Sequence, residues 1–142
     1  MLVRLMYCSR AAAGVDSEEL SLLLRQCRSH NGQAGITGML CHSEGLFIQV
    51  LEGGRAAVNR LYQRILADAR HTDVVLLVYE EVSQRRFSGW TMGQVNMARL
   101  NPALLLKYSE TARLDPYAVS GAVSVALFEE LVATAAVMGH NP

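Results

Sequence analysis

Apolar and polar positions along the chain predict five strands and two intervening amphipathic helices. Strand-like runs cover residues 2–8, 36–42, 46–52, 74–79 and 90–96. The first helix opens with a capping box at Asp16 and Glu19 and ends near Ser29. The second spans Val58 to Leu66, where apolar residues recur at helical spacing. A tight turn at residues 44–45 joins the second strand to the third.

The element order βαββαββ is typical of a ferredoxin-like α+β fold, with two helices on one face of a mixed sheet. The strand 46–52 is apolar on both sides, so it requires cover on both faces. Asn-Pro at 101 and Asp-Pro at 115 resemble helix starts, and they predict C-terminal helices over the opposite face. The longer of these is apolar nearly all round, so we expect it to pack on the sheet, on a second copy, or on both. The apolar run 74–79 suits a central strand.

Gln49 places an amide in the middle of the apolar third strand. It points the same way as Phe47 and Leu51, and a buried amide without a partner costs about 1–3 kcal/mol. Right-handed crossovers make the first and third strands neighbours, so that Tyr7 faces Gln49 under the helices. Tyr7, Asn31 or the polar edge of a ligand could satisfy the amide. From these residues alone, a purely structural Tyr–Gln pair remains an alternative.

Four further side chains are expected near the mouth of any cleft that lies between the two helices. Asn31 either caps the end of the first helix or meets the amide-like edge of a ligand. His30 either stacks on a planar ligand or faces solvent. Arg64 and Asp68 are one helical turn apart, so they form an i, i+4 pair or hold polar parts of a ligand.

Composition narrows the function classes. Thirteen basic residues balance thirteen acidic ones, which argues against binding nucleic acid or anionic lipid.

The three cysteines and four histidines have no metal-ligand spacing, so we expect reduced thiols, a cytoplasmic protein and no metal site. No signal peptide is predicted. Glu129 and Glu130 interrupt the most hydrophobic stretch, which favours a soluble helix over a membrane span. Ser9 has no nearby base. An acyl-phosphate hydrolase built from Arg10 and Asn31 remains an alternative that no spacing favours.

Taken in order, these segments resemble a BLUF domain, the blue-light sensor that uses FAD, over about residues 2 to 97. The matching parts are the Tyr7 strand, Asn31, residues 36–38, residues 45–53, residues 68–71 and residues 86–92. His42 replaces a tyrosine that is frequent in the family. The tail after residue 101 is similar to that of short BLUF proteins that end in two helices and form oligomers.

The resemblance implies that the isoalloxazine ring lies between the two helices. It implies a flavin-binding set comprising Tyr7, His30, Asn31, Gln49, Arg64, Asp68, Arg70 and His71. Trp90 and Met92 match strand-five residues of the photoactive site, and either one could point inward. FAD is the expected cofactor, although FMN or riboflavin would differ mainly outside the ring. The expected division is a flavin-binding domain over 1–98 and a helical extension over 99–142 for oligomerisation or output.

The function implied is that of a light switch and not of an enzyme. Light drives electron and proton transfer from Tyr7 through Gln49, and the rearranged hydrogen bonds are passed to a downstream protein in trans. A homo-oligomer is expected. The remaining alternatives are a ferredoxin-like oligomerisation adaptor without flavin and the hydrolase considered above.

Overall fold

Strands and helices alternate along the computed structural model, which describes residues 1–96, 100–134 and 137–138, without the side chains of Ser17 and of residues 137–138. The elements are β1 Leu2–Ala11, α1 Ser17–Ala34, β2 Thr37–Ser43, β3 Leu46–Gly54, α2 Arg55–Leu66, β4 His71–Val82, β5 Gly93–Val95, α3 Pro102–Tyr108, α4 Gly121–Ala133 and β6 Val137–Met138. The predicted boundary between residues 98 and 99 and the end of the predicted extension lie outside the described residues.

The strands form one sheet in the order β4-β1-β3-β2-β5-β6. Neighbouring strands are antiparallel except β2 and β5, which run parallel. The helix α1 connects β1 to β2, and α2 connects β3 to β4, which leaves β1 and β3 as central neighbours. The predicted ferredoxin-like α+β plan is confirmed.

The central strand β3 is buried on both faces, as its apolar residues predict. One face packs under α1 and α2, with a core that includes Val3, Leu5, Leu24, Phe47, Leu51, Val58 and Leu61. The other face packs under α3 and α4, with a core that includes Met6, Cys8, Ile48, Val50, Leu105, Phe128 and Leu131. The C-terminal helices therefore cover the second face of the sheet. None of the helices in the described part of the chain is long and apolar enough to cross a membrane.

The long C-terminal helix begins at Gly121, and the predicted start at Asp115 is wrong. The Ser120 hydroxyl caps α4, whereas the Asp115 carboxylate accepts the Tyr117 N–H at 3.1 Å in a separate turn. A Cβ atom at position 121 would lie 2.4 Å from the Leu77 carbonyl oxygen in β4. Only glycine permits this close approach, so the crossing of β4 fixes where α4 begins.

The strand β4 lies at the edge of the sheet, although its apolar run predicted a central strand. Val75, Leu76 and Tyr79 are 42%, 49% and 42% exposed. That prediction was wrong because an apolar run indicates only that a strand packs against other elements. The position of the strand in the sheet follows from the two crossovers. They place β1 and β3 at the centre and leave β4 outside.

Candidate functional site

Tyr7 and Gln49 are cross-strand partners on β1 and β3, beneath α1 and α2. The Tyr7 hydroxyl donates a hydrogen bond of 2.5 Å to Gln49 Oε1, and both side chains are buried. Gln49 Nε2 lies 3.3 Å from Met92 Sδ, a weak acceptor. Both ends of this amide are therefore engaged by side chains that the sequence analysis named.

Burial determines the protonation state of the Tyr7 phenol. Loss of solvation raises its pKa well above the ordinary value, and Cys27, Tyr62 and Asp68 add smaller contributions in the same direction. The phenol is neutral throughout the physiological range. It can therefore give up a proton only to a neighbour, and Gln49 Oε1 is the acceptor in contact with it.

His71 packs edge-on against Tyr7 and Phe47, with ring centroids 6.1 Å apart in each pair. Its Nε2 atom lies 2.7 Å from the Ile65 carbonyl oxygen, and its Nδ1 atom lies 2.9 Å from Ser9 Oγ. Because a carbonyl can only accept, Nε2 donates in this arrangement, and Nδ1 shares a hydrogen bond with the serine hydroxyl. The expectation that Ser9 has no nearby base is therefore wrong. The contact was missed because Ser9 and His71 are 62 positions apart in the chain. The buried serine orients the imidazole beside Tyr7.

Asn31 is fully buried in α1, and neither atom of its amide has a hydrogen-bond partner. Its backbone carbonyl accepts from Gly35 and Ile36, while the left-handed conformation of Gly35 (φ 71°) ends the helix. The alternative that the Asn31 side chain caps the helix is therefore wrong. A buried amide without partners costs about 1–3 kcal/mol, which a ligand with its own donor and acceptor would offset.

Arg64 and Asp68 do not pair with each other. The Asp68 carboxylate binds Arg70, with Nη2–Oδ2 and Nε–Oδ1 distances of 2.6 and 3.0 Å, and this hydrogen bonding lowers the pKa of Asp68. Arg64 donates instead to His30 Nε2 across the gap between α2 and α1. The i, i+4 prediction was wrong because α2 ends at Leu66, so Asp68 lies beyond the helix and not one turn along it. His30 Nε2 is the acceptor in this contact, because a guanidinium group can only donate.

Two connected cavities join these side chains between the helices. An inner cavity of about 40 Å³ is lined by Tyr7, Gln49 and His71, among others. An adjoining cavity of about 210 Å³ is lined by His30, Asn31, Arg64, Asp68 and Arg70, among others. Both share the apolar walls Leu23, Cys27, Leu61 and Ile65. These walls are i, i+4 pairs, one on each helix, so helical spacing alone turns them towards the same space.

The cleft fits a flat ring with an amide-like polar edge. The walls that the two cavities share are apolar, and the unpartnered oxygen and nitrogen of Asn31 match a ligand that can both donate and accept. Among the described residues, no three histidine, cysteine or acidic side chains come together as metal ligands would.

Met92, and not Trp90, occupies the inward position beside Gln49. Met92 is fully buried, whereas Trp90 is partly exposed and lies outside β5, which begins only at Gly93. The predicted strand 90–96 is therefore too long at its start. The Trp90 carbonyl accepts the Gly38 N–H at 2.9 Å, so this backbone still contacts β2.

The residues of the alternative hydrolase are not brought together. Arg10 lies at the exposed end of β1, where it pairs with Asp73 and stacks over the Tyr117 ring at 4.6 Å. Asn31 lines a different cavity, between α1 and α2. The geometry gives that hypothesis no support.

Comparison with known proteins now gives the class to which this fold and site belong. Residues 2–93 match the family model described as "BLUF: Sensors of blue-light using FAD". This match covers well over half of the sequence, so the chain belongs to the BLUF family. The family is one of flavin-binding blue-light photoreceptors in signal transduction, and residues 2–93 are accordingly a sensor domain rather than an enzymatic one.

Relatives with this region include subunits of photoactivated adenylate cyclases. The chain is 41% identical over 92 residues to the photoactivated adenylate cyclase subunit beta of Euglena gracilis. It is 38% identical over 84 residues to the alpha subunit from the same organism. These alignments cover 64% and 59% of this chain but only 11% and 8% of the cyclase subunits. The chain thus spans about a tenth of the length of these relatives.

Two solved structures are similar over nearly their whole length. The dark-state structure of BlrB, a BLUF protein, has a TM-score of 0.80 and 31% identity, with 94% of this chain and 96% of that chain covered. The photo-activated state of BlsA has a TM-score of 0.83 and 27% identity, with coverage of 93% and 95%. Such coverage requires that much of the C-terminal region also matches.

Proposed function

We propose that this chain is a blue-light sensor that binds FAD non-covalently between α1 and α2. In this proposal, light rearranges the hydrogen bonds of Gln49, and the change is passed to another protein. The observation that carries the proposal is the buried Tyr7–Gln49 hydrogen bond, next to a cleft in which the Asn31 amide has no partner. A plain adaptor would have no use for that unpartnered amide, which lowers its stability.

The residues around the cleft have separable roles in binding. Asn31 and Gln49 would hold the polar edge of the ring, and Arg64 and Asp68 would complete that edge from α2 and the turn that follows. Arg70 fixes the Asp68 carboxylate, and its hydrogen bonds keep that group ionised. His71, oriented by Ser9, closes the inner end beside Tyr7, while His30 closes the outer end.

A bound flavin supplies absorption of blue light and, once excited, an acceptor for one electron. The electron leaves the Tyr7 ring and returns to it, so no bond remains formed or broken afterwards. An oxidised phenol is strongly acidic, so its proton would move along the 2.5 Å hydrogen bond to Gln49 Oε1. The proton would return to the phenol oxygen when the electron returns, which leaves Tyr7 and Gln49 neutral again. The amide can then settle with its two ends exchanged.

The exchanged amide differs from the original in its contact with Met92. In the arrangement found here, Gln49 Nε2 donates to the sulfur. After exchange, Nε2 faces the Tyr7 oxygen, and Oε1 faces a thioether that has no proton to give. The Gln49–Met92 contact exists in only one of the two states, which is the property that a switch requires.

Residues 86–95 offer a route from Met92 to the C-terminal helices. The Glu52 carboxylate accepts the backbone N–H groups of Arg86 and Phe87, at 3.0 and 2.7 Å. Phe87 and Val95 belong to the same core as α3 and α4. We infer that the extension over 99–142 carries oligomerisation or output, and that the signal passes to a downstream protein in trans.

The identity of the flavin and the location of the protein are proposed on separate grounds. FAD, FMN and riboflavin carry the same isoalloxazine ring, so the choice of FAD follows from the family description. A cytoplasmic location is proposed because Cys8, Cys27 and Cys41 are all free thiols.

The test is an absorption spectrum before and after blue light, on the wild-type protein and on Tyr7→Phe. We expect a small, reversible red shift in the wild type, and retained flavin without the shift in Tyr7→Phe. Tyr62→Phe is the matched control, because the Tyr62 ring lies 5.8 Å from Tyr7 but does not contact Gln49 through its hydroxyl. A normal shift in Tyr7→Phe would overturn the mechanism, and a colourless wild type that cannot take up flavin would overturn the sensor assignment.

A further inference from the structure

A third cavity, of about 600 Å³, continues outward from the cleft between α1 and α2. It is lined by His30, Ala34, Ala57, Arg60, Gln63, Arg64 and Ala67. His30 and Arg64 also line the 210 Å³ cavity, so the two spaces adjoin at the His30–Arg64 contact. Three alanines, at positions 34, 57 and 67, leave this outer space open.

The outer cavity is basic and has no acidic residue in its lining. Arg60 and Arg64 lie one helical turn apart on α2, and neither forms an ion pair with any residue that the structure describes. This contrasts with Arg55 on the same helix, which pairs with Glu81, and with Arg70, which pairs with Asp68. Two unmatched guanidinium groups at one cavity favour an anion.

The partial charges of the two helix ends at this cavity oppose one another. Ala57 lies in the first turn of α2, the positive end of its dipole, whereas Ala34 ends α1, the negative end. The two arginine side chains therefore determine the sign of the local potential. The anion must also belong to a ligand that continues inward, because the buried, unpartnered Asn31 amide lines the adjoining cavity.

We propose that the outer cavity is a phosphate subsite, in which Arg60 selects phosphorylated flavins over riboflavin. This inference rests on the proposed function, since it assumes that the ring occupies the inner cleft. Arg64 lines both the outer cavity and the 210 Å³ cavity, whereas Arg60 lines only the outer one. Arg60 is thus the residue that separates recognition of the phosphate from recognition of the ring.

The test is a titration of the flavin-free full chain with riboflavin, FMN and FAD, followed by flavin fluorescence. We expect FMN and FAD to bind at least about tenfold more tightly than riboflavin at low salt, because a guanidinium–phosphate contact is a charge-assisted hydrogen bond. The preference should shrink as salt is raised above about 0.1 M, since the Arg60 side chain is exposed and its charge is screened.

Variants of Arg60 assign the preference to this residue. Arg60→Gln should reduce the affinity for FMN and FAD about tenfold and leave that for riboflavin unchanged, while Arg60→Lys should retain most of the preference. Arg25→Gln is the matched control, because it removes the same charge from an exposed position on α1 that lines none of the three cavities.

The outcomes separate this inference from the function on which it rests. Equal affinity for all three flavins, or an equal loss for all three in Arg60→Gln, would overturn the phosphate subsite and leave the light sensor intact. Failure of every flavin to bind the wild-type chain would overturn both.

Discussion

Gln49 Nε2 lies 3.3 Å from Met92 Sδ, so the amide that accepts from Tyr7 through its oxygen contacts a thioether through its nitrogen. This contact joins the central strand β3 to the segment that leads into β5. Since it can form in only one orientation of the amide, its strength helps to set the balance between the two states.

Replacing Met92 by leucine should slow the return from the illuminated state about two- to fivefold. The substitution removes the acceptor that favours the original amide orientation, and a weak contact worth about 0.5–1 kcal/mol corresponds to this factor. The measurement is the decay of the light-induced absorption change in the dark.

Met39→Leu provides the control for the Met92 variant. Met39 is also fully buried, but it lies in the core under α3 and α4, away from Gln49. Identical recovery rates in the two variants would show that the sulfur of Met92 has no influence on the amide.

Replacing Asn31 by leucine should stabilise the flavin-free protein and weaken flavin binding. Leucine has nearly the shape of asparagine, and it removes a buried amide without partners, so the free energy of unfolding should rise by about 1–3 kcal/mol. Urea unfolding of the flavin-free protein and flavin titration measure the two effects.

The control for the Asn31 variant is Asn59→Leu. Asn59 is exposed, and its amide already donates to the Arg55 carbonyl and to Tyr79. It should gain no stability. A destabilised Asn31→Leu protein that binds flavin normally would contradict the assignment of Asn31 to the ligand.

Replacing Glu52 by glutamine should lower the free energy of unfolding by about 3 kcal/mol. Glu52 and Arg4 form a fully buried ion pair at 2.7 Å, and loss of the Glu52 charge leaves the buried guanidinium with only the half-exposed Glu80 as its counter-ion. The same carboxylate holds the backbone at Arg86 and Phe87, so the segment before Met92 should also loosen, which hydrogen exchange would detect.

Glu80→Gln tests whether burial is the cause of that loss. Glu80 pairs with the same Arg4 at 2.7 Å, but its side chain is about half exposed. The change should cost at most about 1 kcal/mol. Equal losses in the two variants would show that burial of Glu52 adds nothing.

Replacing His42 by tyrosine should remove part of the pH dependence of stability. Burial lowers the pKa of His42 below its ordinary value of 6.5, so the unfolded chain takes up a proton at a higher pH than the folded one. The wild-type free energy of unfolding should therefore fall as the pH drops through 6.5 towards the folded-state pKa. The variant should lose less between about pH 7.5 and pH 5.5 by urea unfolding.

A second His42 variant separates titration from packing. The His42 ring packs against Phe47 with a centroid distance of 4.8 Å, and tyrosine preserves an aromatic ring at this position. His42→Gln should be less stable at every pH and yet show the same flattened pH profile. A wild-type pH slope in both variants would exclude His42 as its source.

The sequence by itself determined which face of the sheet each central side chain occupies. Strand periodicity of two and right-handed crossovers are local or chain-wide rules that do not depend on particular neighbours, and they were enough to place Tyr7 opposite Gln49. The two-sided apolar character of β3 likewise required the cover that α3 and α4 provide.

Only the tertiary structure decided which groups meet. The sequence did not predict the partners of Ser9, Glu52 and Asp68. It also left open whether the Asn31 amide has a partner and whether Met92 points inward. Hydrogen bonds and ion pairs form over about 3 Å, so they depend on how segments tens of residues apart are placed in space. Periodicity determines the direction in which a side chain points, but it does not determine which atom of another segment that side chain contacts.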